Sequence, residues 1–180
     1  MVKKELRERS IKKLQNLPKN RRYIADKLIS LEIDKVIKAL KPRSILFYLP
    51  LSMEVDLRSL IVKYRRKKLK ILIPKIEKES FKMVEYRSPL EESSFKTKEP
   101  KSHFEYKKVD LIIVPVIAVD RDFRRVGFGK GMYDRFYQKL KKKPKVIFVQ
   151  RLPLISKSSV CESFDIKCDI YISSKEKKVG

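Results

Sequence analysis

The stretch that decides the fold is residues 111–140, LIIVPVIAVDRDFRRVGFGKGMYDRFYQKL. It opens with nine apolar residues, 111–119, with Pro115 among them and Asp110 and Asp120 at the flanks. Nine residues cannot cross a bilayer, but they suit a central strand buried on both faces. After a loop over 120–130, Met132, Tyr133, Phe136, Tyr137 and Leu140 recur at helical spacing, which predicts a helix over 131–142. Strand, loop and helix in that order form one unit of an α/β fold.

The flanking sequence repeats the alternation. Helices are predicted over 2–14, with a sparse stripe of Leu6, Ile11 and Leu14, and over 21–40. In the second, Ile24, Leu28, Leu31, Val36, Ile37 and Leu40 are expected on the inner face, and Lys41-Pro42 ends the run. Strands are expected at 44–49 and 69–76, with a helix between them at 56–67. A more exposed strand is expected around Phe81, Met83, Val84 and Tyr86, and further strands at 145–150 and 170–172. Residues 88–108 read as loop. The expected architecture is one domain over 1–180: a three-layer α/β/α arrangement with a mostly parallel, Rossmann-like sheet.

The 180 residues carry 46 Lys and Arg against 22 Asp and Glu, a net charge of +24. Such a field attracts nucleic acid, acidic membrane, or phosphorylated and carboxylated small molecules. The same composition, with only five Asn and Gln and no Trp, is also that of a protein adapted to heat. A lone histidine, His103, read as a loop residue, leaves few routes to histidine catalysis, and Cys161 and Cys168 match no common zinc spacing. The first residues lack the apolar run of a secretion signal, so a cytoplasmic protein is expected.

Glycine is the sharper signal. Four occur in all; one is Gly180, and the other three are Gly127, Gly129 and Gly131. A glycine-poor chain that concentrates its internal glycines in five residues has a loop whose backbone must go where a Cβ would interfere. Lying between the strongest strand and a helix start, the loop is suited to anion binding by main-chain amides and the helix dipole. Lys130 adds a charge in the same turn. An ordinary tight turn is the alternative. The loop is neither a Walker A sequence nor the dinucleotide fingerprint. Asp134, in the helix's first turn, either complements the dipole or holds Mg²⁺ over bound phosphates.

Residues 114–140 closely resemble the signature of 5-formyltetrahydrofolate cyclo-ligases, VPGLAFDxxGxRLGxGxGYYDRxL. Val114-Pro115, Ala118, Asp120, Arg125, Gly127, Gly129, Gly131, Tyr133, Asp134 and Arg135 all match. At lower stringency the likeness covers nearly the whole chain: Lys3 and Arg7 in an opening helix, Glu54 in FYLPLSMEVDL, and Asp165 ahead of the final strand.

The resemblance implies MgATP-dependent conversion of 5-formyltetrahydrofolate to 5,10-methenyltetrahydrofolate, with ADP and phosphate released. It implies ATP contacts from Lys3, Lys4, Arg7, Gly127, Phe128, Gly129, Lys130, Gly131, Met132, Tyr133 and Asp134. Lys130 is the implied catalytic cation. Leu49, Glu54 and Tyr133 are implied at the folate, and Asp134 and Asp165 at Mg²⁺. The implied partners are ATP and the folate, with a monomer expected and no membrane role. The chain departs from the pattern at Met132, where tyrosine is usual, at Phe128, often arginine, and at Val116, Asp122 and Phe123. The competing reading is a basic nucleic-acid-binding module without catalysis, built on clusters such as residues 63–70. No known binding motif interleaves aromatics with those clusters.

Overall fold

The computed structural model describes residues 2–87, 90–92, 98–100 and 104–179. Its seven-stranded sheet is built on five parallel strands: β1 (Ser44–Leu46), β2 (Lys70–Glu77), β6 (Leu111–Pro115), β9 (Lys145–Gln150) and β10 (Ile170–Ser173). Two antiparallel edge strands, β3 (Ser80–Glu85) and β11 (Lys177–Val179), complete the order β11-β10-β9-β6-β1-β2-β3. Counting only the parallel strands in chain order, the arrangement is 2-1-3-4-5, with the reversal between β1 and β6.

Alternation along β6 creates the two cores. Leu111 and Ile113 face one way, with α2 (Lys19–Leu40) and α3 (Arg58–Arg66), while Ile112 and Val114 face α4 (Met132–Lys139). The expected three layers and mostly parallel sheet are present. α1 (Lys3–Gln15) buries Leu6, Ser10 and Leu14; Leu6 packs on Ala118 and Val126 of a short ribbon, β7 (Ala118–Val119) with β8 (Arg125–Val126). Among the described residues, no helix is long and apolar enough to cross a membrane.

Several expectations change. The apolar run 111–119 is two strands, because the ladder ends at Pro115 and the chain turns away through the Ile117 N–H, which donates to the Val126 carbonyl at 2.9 Å. The run stays buried because the ribbon has its own cover from α1. On α2 the buried stripe is Ala25, Ile29, Ile33, Val36 and Ile37, whereas Ile24, Leu28, Leu31 and Leu40 are exposed. Val36 and Ile37 are buried as expected; before them the true stripe lies one residue round the helix from the expected one. Phe81, Met83 and Val84 are buried, since Phe136 stacks on Phe81 at 4.2 Å and Tyr133 meets it edge-on at 4.9 Å. Within the stretch read as loop, β4 (Leu90–Glu92) pairs antiparallel with β5 (Lys98–Pro100). β11 was not anticipated; its three residues are exposed and lack an apolar pattern. His103 lies outside the described residues.

Candidate active site

The chain leaves β1 toward α3 on one face and leaves β6 toward α4 on the other. Their carboxyl ends therefore part, and a crevice opens at the reversal point of the sheet. One wall is residues 47–54; the other is residues 116–131.

The second wall carries the glycine loop. Gly129 (φ 102°) and Gly131 (φ 60°) occupy the left-handed region, which side chains other than glycine's enter at a cost. At Gly127 the constraint is contact: a Cβ would lie 2.5 Å from the guanidinium of Arg125. That guanidinium is buried, and its Nη1 donates to Asp134 Oδ2 at 3.2 Å. From outside, Arg7 Nε donates to the Gly127 carbonyl at 2.7 Å, while Arg135 donates to the Lys130 carbonyl. The loop is thus held from both flanks, with Phe128, Gly129 and Lys130 exposed at its tip.

Asp134 and Asp165 are both buried. Asp134 Oδ1 accepts the Ile166 N–H at 3.1 Å, so the two carboxylates belong to chain segments in direct contact. Asp165 Oδ2 accepts the Glu162 N–H at 2.7 Å and pairs with the Lys3 ammonium. Both offer oxygen, the ligand Mg²⁺ takes, but each already meets a basic group of the chain. Among the described residues no three Asp, Glu, His or Cys side chains gather into a metal cluster. The pair suits an ion carried in on a triphosphate, with phosphate oxygens and water as its other ligands. It does not suit a resident ion held by protein alone.

Next to the loop, Tyr48, Leu49, Leu51, Glu54, Pro74, Ile76, Phe81, Met132 and Tyr133 line a small cavity of about 130 Å³. Glu54 closes a turn with Leu51: the Leu51 N–H donates to Glu54 Oε2 at 2.8 Å, and the Glu54 N–H donates to the Leu51 carbonyl at 3.0 Å. Burial raises the Glu54 carboxyl from its ordinary 4.5 to about 6, against the lowering effect of the Leu51 N–H, Arg125 and Arg151. Burial likewise raises the Tyr133 and Tyr48 hydroxyls, and the nearby Glu54 charge adds to it. Arg125 also lies over the Tyr133 ring, 5.0 Å from its centroid. One guanidinium therefore joins the glycine loop to the cavity.

The structure brings together most of the residues named from the sequence: Lys3 and Arg7 from α1, the glycine loop, Asp134 and Asp165, and Leu49, Glu54 and Tyr133 in the cavity. Met132, implied at the triphosphate, also lines the cavity. Lys4 is exposed, with its ammonium 4.0 Å from Glu8. Arg125 was missed as a site residue although it lies within the signature, and Tyr48 and Arg151 carried no local signal. A larger cleft of about 530 Å³ between α2 and α3, lined by Asp34, Asp56 and Lys63 among others, holds none of the named residues. Chemistry, not size, selects the smaller one.

The model of the 5-formyltetrahydrofolate cyclo-ligase family matches residues 1–169. The chain belongs to that family of enzymes. Among solved structures, the 5,10-methenyltetrahydrofolate synthetase of Aquifex aeolicus superposes with a TM-score of 0.84 at 27% identity, covering 99% of this chain and 93% of that one. The synthetase of Mycoplasma pneumoniae superposes at 0.78, covering 96% and 98%; at 19% identity it attests the fold. In sequence, 73 residues are 27% identical to the 5-formyltetrahydrofolate cyclo-ligase of Mycoplasma pneumoniae. That match spans 40% of this chain and less than half, 43%, of the relative.

Proposed function

We propose that the chain converts 5-formyltetrahydrofolate to 5,10-methenyltetrahydrofolate, consuming ATP and releasing ADP and phosphate. The observation that carries this reading is the adjacency of two dissimilar subsites, an anion-gripping glycine loop and an aromatic cavity with one carboxylate, with Arg125 between them.

The formyl oxygen of the substrate is a poor leaving group. Transfer of the γ-phosphoryl group to it creates a good one, and the nitrogen at position 10 of the folate then attacks the formyl carbon and expels phosphate. The enzyme's task is alignment and charge stabilisation rather than covalent catalysis. Main-chain amides of residues 127–131 grip the triphosphate, aided by the α4 dipole and by Lys3 and Arg7. Lys130 stabilises the transferring phosphoryl group. Glu54 accepts hydrogen bonds from the amino and ring N–H donors of the pterin, which lies against Leu49 and Tyr133. Asp134 and Asp165 would hold Mg²⁺, whose contribution is to neutralise the phosphate oxygens. ATP and a reduced folate are the partners, and the cytoplasm is the expected place of work.

The test is spectroscopic. Purified protein, ATP, Mg²⁺ and 5-formyltetrahydrofolate should give the near-ultraviolet absorbance of the methenyl product, and omission of ATP should abolish it. No product across the protein's folded temperature range would overturn the reading.

A further inference from the structure

Two consecutive residues at the carboxyl end of β9 reach to opposite walls of the crevice. Gln150 donates its side-chain N–H to the Ile117 carbonyl of the β6 wall and accepts the Tyr171 hydroxyl at 2.8 Å. Arg151, nearly as buried, reaches the β1 wall, where its Nη1 donates to the Ser52 carbonyl at 2.8 Å. The other nitrogens of the fork hold Asp26 of α2, Nε to Oδ1 at 2.7 Å and Nη2 to Oδ2 at 2.9 Å. Asp26 fixes the guanidinium plane, and the guanidinium fixes Ser52.

Ser52 lies inside the turn that Leu51 and Glu54 close. We infer that Arg151, aligned by Asp26, is a positioning residue for the substrate: it pins the Ser52 carbonyl and so sets where the Glu54 carboxylate meets the folate. The inference rests on the folate reading of the cavity. A buried ion pair adds little net stability, because desolvating two charges offsets their attraction. Its yield here is geometric. Lysine cannot replace it, since three hydrogen bonds in one plane, two to a carboxylate and one to a carbonyl, need the rigid fork of arginine.

Electrostatics give a second handle. The groups facing Glu54 are the Leu51 N–H, Arg125 from β8, Arg151 after β9, Tyr133 from α4 and Tyr48 after β1. Of the two cations, Arg125 also pairs with Asp134, and Arg151 with Asp26. Removing Arg151 therefore weakens the ionised form of Glu54 without touching the glycine loop.

The experiment compares Arg151→Met, Arg151→Lys and the unaltered chain, all confirmed folded by circular dichroism. In Arg151→Met, KM for 5-formyltetrahydrofolate should rise about tenfold, as expected for a misplaced contact group, with KM for ATP unchanged. The titration midpoint of Glu54, followed by carboxyl carbon NMR without substrate, should move upward from about 6. Arg151→Lys should restore the midpoint but not KM. If both folded variants keep the original KM and midpoint, the inference is wrong. Should Arg151→Met not fold, the Arg151→Lys values decide by themselves. A chain without cyclisation activity would sink the folate reading, whereas the Glu54 midpoint, read without turnover, would still decide whether Arg151 acts on Glu54.

Discussion

Glu54→Gln separates the stability of the site from its use. Burial lifts the Glu54 carboxyl from 4.5 to about 6. The folded state thus holds the proton more tightly than the unfolded state. Its contribution is fully favourable below the unfolded value and is lost as pH rises through about 6. At roughly 1.4 kcal/mol per pH unit, ionised Glu54 destabilises the fold by about 2 kcal/mol at pH 8. Glutamine keeps an oxygen for the Leu51 N–H but has nothing to ionise. The variant should therefore be more stable than the parent by about 2 kcal/mol at pH 8, a rise in melting temperature of about 4–8 °C for a domain of this size. The difference should shrink to about 0.4 kcal/mol by pH 4.5, where the unfolded carboxyl is half ionised, while cyclisation falls sharply on the proposed reading, in which Glu54 is the pterin's anionic acceptor. Urea unfolding of both proteins at the two pH values measures it. A stability difference that does not change with pH would refute the argument.

On the proposed role, Lys130→Ala should lower kcat by about 100-fold or more with little change in melting temperature, because the charge assigned to the transferring phosphoryl group is removed from an exposed loop tip; calorimetry beside the absorbance assay checks both halves. Arg125→Met leaves Asp134 buried without its cation, and should cost about 3–5 kcal/mol in denaturant unfolding. Mg²⁺ without nucleotide should give no measurable heat in titration calorimetry below millimolar concentration, whereas Mg²⁺ with ATP should bind; tight binding of the ion by itself would contradict the reading of Asp134 and Asp165 as partial ligands.

Much of the architecture could be read in advance because apolar character and core position coincide in β2, β6 and β9, and in part on α1, where Leu6 and Leu14 are buried as expected but Ser10 is buried in place of Ile11. They part company on α2. There Ile24, Leu28 and Leu31 form as regular a stripe as Ala25, Ile29 and Ile33, and only packing on the sheet selects between them. β7 hid inside the apolar run 111–119, since both strands of its ribbon are buried, with Leu6 of α1 packed on it. At the site, the glycines announced the loop through their scarcity, and family likeness supplied Lys3, Arg7, Glu54 and Asp165. Arg151 and Asp26, 125 positions apart, show nothing locally that marks them as a pair. Long-range ion pairs have no periodicity to read.

The bond from Lys3 to Asp165 joins groups 162 positions apart. During synthesis, the helix that carries Lys3 is therefore made well before its carboxylate partner. A nascent chain halted before residue 165 lacks this pair, and its helix is held by earlier contacts alone, Leu6 on Ala118 and Val126 and Arg7 on the Gly127 carbonyl. The helix is thus fastened in stages, and this pair closes after the contacts with residues 118–127.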